Sequence, residues 1–112
     1  MTLFRLFLVG FLIVLTVYTA IVGFNYGWNL VPVFFAEIAA MTWQGQFNVD
    51  FMGFLLLSAI WTAWRNAFSV SGFGLSLLAA TGGMMFLTIY LLFLSFQTKG
   101  DIREIMLGSS RA

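Results

Sequence analysis

Apolar residues run almost unbroken through three long stretches, which predict transmembrane helices over residues 6–24, 47–68 and 73–96. A helix rises 1.5 Å per residue, so about 20 residues cross the hydrocarbon core of a bilayer. The second stretch reaches that length only when its polar flanks are included. The pattern predicts an all-α integral membrane protein with three transmembrane helices in a single membrane domain covering residues 1–112.

A shorter apolar run over residues 30–41 lies between the first two stretches and is interrupted by Glu37. Asn29 can cap this run, and Pro32 suits the first turn of a helix. The run is about half a bilayer long, which predicts an interfacial or re-entrant helix. Asn48 is the residue expected to cap the helix that follows.

The surface tail, residues 98–112, carries five of the nine charged side chains. Ile102, Ile105 and Met106 fall on one helical face, Asp101 precedes them and Gly108 can end the turn. This spacing predicts a short amphipathic helix that rests on the membrane surface.

The amino-acid composition excludes several kinds of functional site. Hydrophobic residues make up 62% of the chain and charged residues 8%, with no cysteine and no histidine. Thiolate metal sites, disulfides and histidine ligation are therefore excluded, and we expect no enzyme and no cofactor held by protein side chains. A net charge of +1 offers no footprint for nucleic acid. The many aromatic residues remain compatible with bound lipid, quinone or carotenoid.

Basic residues orient membrane helices, because cytoplasmic loops carry an excess of them. Three straight spans would place Arg5 and Arg65 on one side, and Lys99, Arg103 and Arg111 on the other. These numbers leave the orientation unassigned and favour a cytoplasmic C-terminus only slightly. If residues 28–45 also crossed, the basic residues would segregate better, but Glu37 would lie near the bilayer centre at a cost of a few kcal/mol. The fourth crossing stays open.

Small side chains at helical spacing form three faces suited to close packing of helices in lipid. The first-span face includes Gly23, and the third-span face is the longest. These faces hold this chain's own helices together, or one of them docks a partner. Their residues are Thr16, Thr19, Ala20 and Gly23 in the first span, Ser58, Ala59, Thr62 and Ala63 in the second, and Gly72, Ser76, Ala79, Ala80 and Gly83 in the third.

Three polar residues are candidates for a role inside or beside the membrane. Glu37 and Asp50 are the acidic residues outside the tail and could bind a cation or relay protons, or could lie in the headgroups. Arg65 suits a boundary anchor or a partner for lipid phosphate. Tryptophan prefers the interface between membrane and water, so we predict interfacial anchors at Trp28, Trp43, Trp61 and Trp64.

The segment over residues 41–50, with its tryptophan, glutamines, Asn48 and Asp50, leads into the second apolar stretch. It resembles an uncharacterised group of small three-helix bacterial membrane proteins, which have a polar-aromatic first loop and an acidic residue opening the second helix. The resemblance covers about residues 30–65. It implies a bacterial inner (cytoplasmic) membrane location and no activity.

The lack of reactive side chains and the small extramembrane mass favour a non-catalytic accessory or assembly subunit of a larger membrane complex, of respiratory or photosynthetic type. Its expected partners are membrane lipids and other membrane subunits, or further copies of itself. Two alternatives stay open: a homo-oligomeric small transporter or channel, and a lipid- or pigment-binding membrane protein.

Overall fold

The computed structural model describes residues 1–108 as five α-helices joined by short turns. No strand occurs in this range, so the predicted all-α class is confirmed. The last four residues, which include Arg111, lie outside the described range. The helices are α1 (Thr2–Tyr26), α2 (Leu30–Ala39), α3 (Trp43–Arg65), α4 (Val70–Gln97) and α5 (Ile102–Leu107).

Three of the helices, α1, α3 and α4, are long and apolar enough to cross a membrane. This confirms the prediction of three long apolar helices. Each begins three or four residues before the predicted boundary, because apolar runs mark the middle of a membrane helix and its polar first turn lies outside them. Most of their apolar side chains are exposed, as expected for surfaces that face lipid or another protein.

Hydroxyl side chains cap the N-termini of α3 and α4. Thr42 Oγ1 accepts a hydrogen bond from the Gly45 amide, and Ser69 Oγ accepts one from the Gly72 amide, both at 3.1 Å. Each side chain satisfies one of the amides that a helix start leaves without a partner. The prediction of Asn48 as the α3 cap is wrong, because α3 starts earlier and encloses this residue.

The short helix α2 folds back against the first turns of α3. Asn48 Nδ2 donates to the Phe34 carbonyl oxygen at 3.1 Å. Gly45 lies against the Glu37 carbonyl so closely that a Cβ would have no room. The contacts pair later residues of α2 with earlier residues of α3, so the two helices are antiparallel. At 10 residues, α2 is about 15 Å long, half of what a crossing helix needs.

The third long helix is broken near its middle. Gly83 has φ 57° and ψ −138°, far from helical values, and it separates a first half (residues 70–82) from a second half (residues 84–97). A positive φ with this ψ is open to glycine and strained for other residues. The sequence pattern treats residues 73–96 as one stretch and does not predict the break.

Contacts with the α3–α4 turn show that α4 doubles back at Gly83. Gly72, near the start of α4, lies against the Asn66 side chain, and Tyr90, near its end, accepts a hydrogen bond from the Asn66 amide. In a straight helix, residues 72 and 90 would be about 27 Å apart, which is too far for both to reach Asn66. The two halves of α4 therefore form a helical hairpin.

The first half of α4 runs antiparallel to α3 and the second half runs parallel to it. Ser76 Oγ donates to the Ala59 carbonyl oxygen at 2.8 Å, and Gly83 lies close to the Phe51 ring. Beyond the break, Tyr90 packs its ring edge-on against Trp61, with 6.0 Å between ring centroids. The chain thus enters and leaves this hairpin at the same end of the molecule.

This turn gathers the described basic residues at one end, which we call the cationic end. The Arg5 guanidinium donates to Ser95 near the end of α4, and Met1 lies against Gly100. Arg65 contacts α5 at the same end. The structure differs from the predicted separation of Arg5 from the tail, because the prediction assumed that α4 was straight.

Candidate functional site

The largest group of polar contacts lies at the cationic end, where α3 holds the C-terminus of α5. Arg65 donates from Nε to the Ile105 carbonyl oxygen at 2.6 Å and from Nη2 to the Glu104 carbonyl oxygen at 3.0 Å. Trp61 Nε1 donates to the Met106 carbonyl oxygen at 3.0 Å. Carbonyls at the end of a helix lack part of the usual backbone partners. The Glu104 carbonyl also accepts from the Gly108 amide at 2.8 Å. Two α3 side chains thus cap three consecutive carbonyls of α5.

Tyr90 connects this group to the second half of α4. Its hydroxyl accepts from Asn66 Nδ2 at 2.9 Å and lies 3.5 Å from Arg65 Nη1. Its ring stacks on Phe86 with 5.3 Å between centroids. Tyr90, Leu94 and Ile105 form the buried hydrophobic core of this end. Tyr90 and Asn66 are not predicted from the sequence, because only the turn at Gly83 brings them together.

A polar cavity of about 430 Å³ opens beside this group. Arg65 and Glu104 both line it, together with Gln97 and Thr98. The Arg65 Nε and Nη2 atoms donate to carbonyl oxygens of α5, so its guanidinium is used to hold that helix. The geometry gives Arg65 a structural task, and its role as a boundary anchor or a partner for lipid phosphate stays a prediction.

Arg5 makes the corresponding link between α1 and α4. Its Nε donates to Ser95 Oγ at 3.0 Å, and its Nη2 donates to the Ser95 carbonyl oxygen at 2.8 Å. The guanidinium carbon also lies 4.1 Å from the centroid of the Phe96 ring, in a cation–π contact. Leu8, one turn further along α1, is buried.

The small-residue faces of α3 and α4 are largely used within the chain. Gly72, Ala79 and Thr62 are buried, and Ser76 donates across the interface to α3. Ala80 is half-buried, and Gly83 lies at the break, so the predicted stripe is a face of the first half of α4 only.

The corresponding face of α1 is less covered. Thr16 is exposed, Ala20 is half-buried, and Gly23 is buried beneath the Trp28 indole. α1 and the second half of α4 are antiparallel, and the Arg5–Ser95 contact sets their register. Equal steps of 1.5 Å along both helices place Gly83 about level with residue 17, so the α4 hairpin ends there.

Beyond that level, a groove of about 350 Å³ separates α1 from the start of α2. Thr19 and Gly23 line it from α1, and Trp28, Leu30 and Val33 line it from the α2 side. The groove is half-open and mostly apolar. It is the place where the small-residue face of α1 has no long helix of this chain against it.

The two candidate carboxylates lie away from the cationic end and are used differently. Glu37 Oε2 accepts a long hydrogen bond of 3.4 Å from Thr42 Oγ1. Asp50 is exposed and borders a groove beside Ile38 and Gly45. Within residues 1–108, no group of three or more acidic side chains is placed to hold a metal ion.

The four tryptophans occupy both ends of the molecule. Trp28 packs edge-on against Phe24, with 5.5 Å between ring centroids, and Trp43 is exposed beside α2. Trp61 and Trp64 lie at the cationic end of α3, where Trp61 holds α5. This distribution places two rings near each end of the long helices.

One further cavity lies where α4 turns back. It has a volume of about 250 Å³ and is lined by apolar side chains of α3 and α4, including Phe51, Phe54 and Leu87. Ser58 also lines it, and the Ser58 hydroxyl oxygen is buried without a hydrogen-bond partner.

Comparison of the chain with protein-family models, with curated proteins and with solved structures finds no match.

Proposed function

We propose that the chain is a small non-catalytic subunit that binds a larger complex in the bacterial inner membrane through α1. The observation that carries this proposal is the short reach of the α4 hairpin. It leaves Thr16 and Thr19 exposed on the small-residue face of α1, next to a groove. Only Leu8 and Gly23 are buried in this 25-residue helix.

The proposed occupant is a transmembrane helix of another subunit. Small residues allow close approach of helix backbones in lipid, and threonine hydroxyls can bond across the contact. A complex of respiratory or photosynthetic type is the proposed kind of partner.

We also propose that the cationic end faces the cytoplasm. Arg5, Arg65, Lys99 and Arg103 lie there, whereas the segment between α1 and α3 carries only the acidic Glu37. The positive-inside rule then assigns both ends of the described chain to the cytoplasmic side.

Purification of the tagged chain from its native membrane in mild detergent tests the docking proposal. A partner should be recovered in constant ratio with the wild type and lost with Thr19→Leu, which removes the hydroxyl and places a larger apolar side chain at the groove. Gly10→Leu is the control: it places leucine at an exposed position of α1 where a Cβ has no neighbour within 4 Å. Migration of the wild type alone, or equal recovery with both variants, would reject the proposal.

A further inference from the structure

Two basic side chains of the cationic end, Arg5 and Lys99, have no acidic partner. Among residues 1–108, neither forms an ion pair with a carboxylate. The acidic residue closest to Lys99 in the sequence, Asp101, accepts a hydrogen bond from the Arg103 amide and so caps α5. The positive charges of Arg5 and Lys99 are therefore available to an anion from outside the described chain.

The backbone beside Lys99 lies close to the Arg5 guanidinium. The Ser95 carbonyl oxygen accepts from Arg5 Nη2 at 2.8 Å and from the Gly100 amide at 2.9 Å. Because both nitrogens bond one oxygen, they lie no more than about 6 Å apart. Lys99 directly precedes Gly100, is exposed, and carries its ammonium group on a flexible four-carbon stem. The two cationic groups can thus contact one anion.

Part of the Arg5 guanidinium is accessible to a ligand. Arg5 uses Nε and Nη2 to hold Ser95, whereas Nη1 bonds to nothing in the described chain. In the same range, only Ser58 Oγ is buried without a partner, so Nη1 reaches the molecular surface. Nη1 carries two N–H groups, and bonds from a guanidinium to phosphate are among the strong hydrogen bonds.

The surroundings of Arg5 favour a membrane lipid over a soluble anion. The guanidinium carbon lies 4.1 Å from the centroid of the Phe96 ring, which is exposed. Phe93 is also exposed and lies three residues earlier, on the same side of α4. A phospholipid offers both a phosphate for the charges and acyl chains for these rings. A soluble anion would leave the apolar surface uncovered.

We propose that Arg5 and Lys99 bind the phosphate of an anionic phospholipid, whose acyl chains lie along Phe93 and Phe96. A zwitterionic headgroup is disfavoured, because its ammonium group would meet two positive charges. Each basic residue near an anionic lipid surface strengthens binding by about fivefold. The proposal does not depend on docking through α1, because the docking groove lies towards the other end of that helix.

Native mass spectrometry of the purified full chain, titrated with phosphatidylglycerol or with phosphatidylcholine of identical acyl chains, tests the proposal. The wild type should bind phosphatidylglycerol about tenfold or more tightly than phosphatidylcholine. Lys99→Gln should weaken phosphatidylglycerol binding by about fivefold, because it removes one charge and none of the contacts between α1 and α4. Arg5→Gln should weaken it at least as much. If Arg5→Gln does not fold, Lys99→Gln decides alone.

Arg103→Gln is the matched control, because Arg103 is exposed on α5 and its loss lowers the net charge by the same amount. It should bind phosphatidylglycerol to within about twofold of the wild type. Equal binding of the two lipids, an unchanged affinity in Lys99→Gln, or equal weakening in Lys99→Gln and Arg103→Gln would overturn the proposal. Displacement of the lipid by an equal concentration of inorganic phosphate would show a site for the free ion and overturn the lipid assignment.

Discussion

The Asn66 side-chain amide donates to the Tyr90 hydroxyl at 2.9 Å, although the two residues are separated by most of α4. In a straight helix, Tyr90 would lie about 30 Å beyond the start of α4 at Val70. The bond therefore requires the reversal at Gly83. It also places an aromatic ring of α4 next to the arginine that holds α5, so the hairpin and the tail helix are stabilised together.

The hairpin can be tested by distance measurement. The chain has no cysteine, so spin labels can be attached at Val70→Cys and Phe93→Cys, two exposed positions. A straight α4 would separate these backbone positions by about 35 Å. Both halves pack against α3 with about 8–10 Å between helix axes. We therefore expect a distance of roughly 20 Å or less between the two spin labels, measured by double electron–electron resonance. A single distance near 35 Å would exclude the hairpin.

The hairpin also predicts which loops share a side of the membrane. Ser71→Cys and Gln97→Cys lie at opposite ends of α4 and are both exposed. They should react with a membrane-impermeant thiol reagent from the same side in sealed vesicles. Met41→Cys, before α3, should react from the other side. Opposite labelling of the two α4 positions would show that α4 crosses the membrane once.

Arg65 should be needed for the tail helix to stay docked. Arg65→Ala removes two hydrogen bonds from a charged donor, and each such bond contributes about 1.5–3 kcal/mol. We expect a loss of about 3–6 kcal/mol in the free energy of unfolding and faster amide hydrogen exchange in α5. Arg65→Lys should recover only part of the lost stability, because an ammonium group lacks the planar fork of donors that a guanidinium has.

Arg103→Ala is the control for this experiment. It removes the same charge from an exposed position of α5. Its effect on exchange should be small. If both alanine variants accelerated exchange equally, net charge and not the Arg65 contacts would hold the tail.

Gly83 should tolerate no side chain. An alanine there would take a backbone conformation that costs about 1–3 kcal/mol, and its Cβ would lie 2.9 Å from the Phe51 ring. We expect Gly83→Ala to reduce the free energy of unfolding, measured by titration with denaturing detergent, by at least this amount. Gly74→Ala, with nothing within 4 Å of its Cβ, should change it by less than about 1 kcal/mol. Equal losses would contradict the special role of residue 83.

The sequence predicts the helices well and their arrangement poorly, for a physical reason. Runs of apolar residues, Pro32 and the spacing of the apolar residues in the tail reflect local chemistry, and together they predict all five helices. The direction of α4 depends on one backbone angle at Gly83. A Gly-Gly pair in mid-helix is compatible both with close packing and with a break, so the pattern alone does not distinguish them.

The residues of the candidate site are likewise recognisable from the sequence, whereas their contacts are not. Arg65 is recognisable from sequence as a residue at a helix boundary, but its carbonyl partners at residues 104 and 105 come from α5 and depend on the tertiary fold. Ser58 is recognisable as a small residue on a packing face. That its oxygen is buried without a partner depends on how the helices pack around it, which the spacing of residues does not predict.

The reversal at Gly83 has a consequence for biogenesis. During insertion, the α4 hairpin can enter the bilayer from the side on which it is synthesised, without carrying a polar loop across. With the cationic end in the cytoplasm, as proposed above, only the segment between α1 and α3, residues 27–42, has to be translocated, and it contains no basic residue. Lysine and arginine resist translocation most strongly. The segment that lacks both is therefore the easiest loop of this chain to move across the membrane.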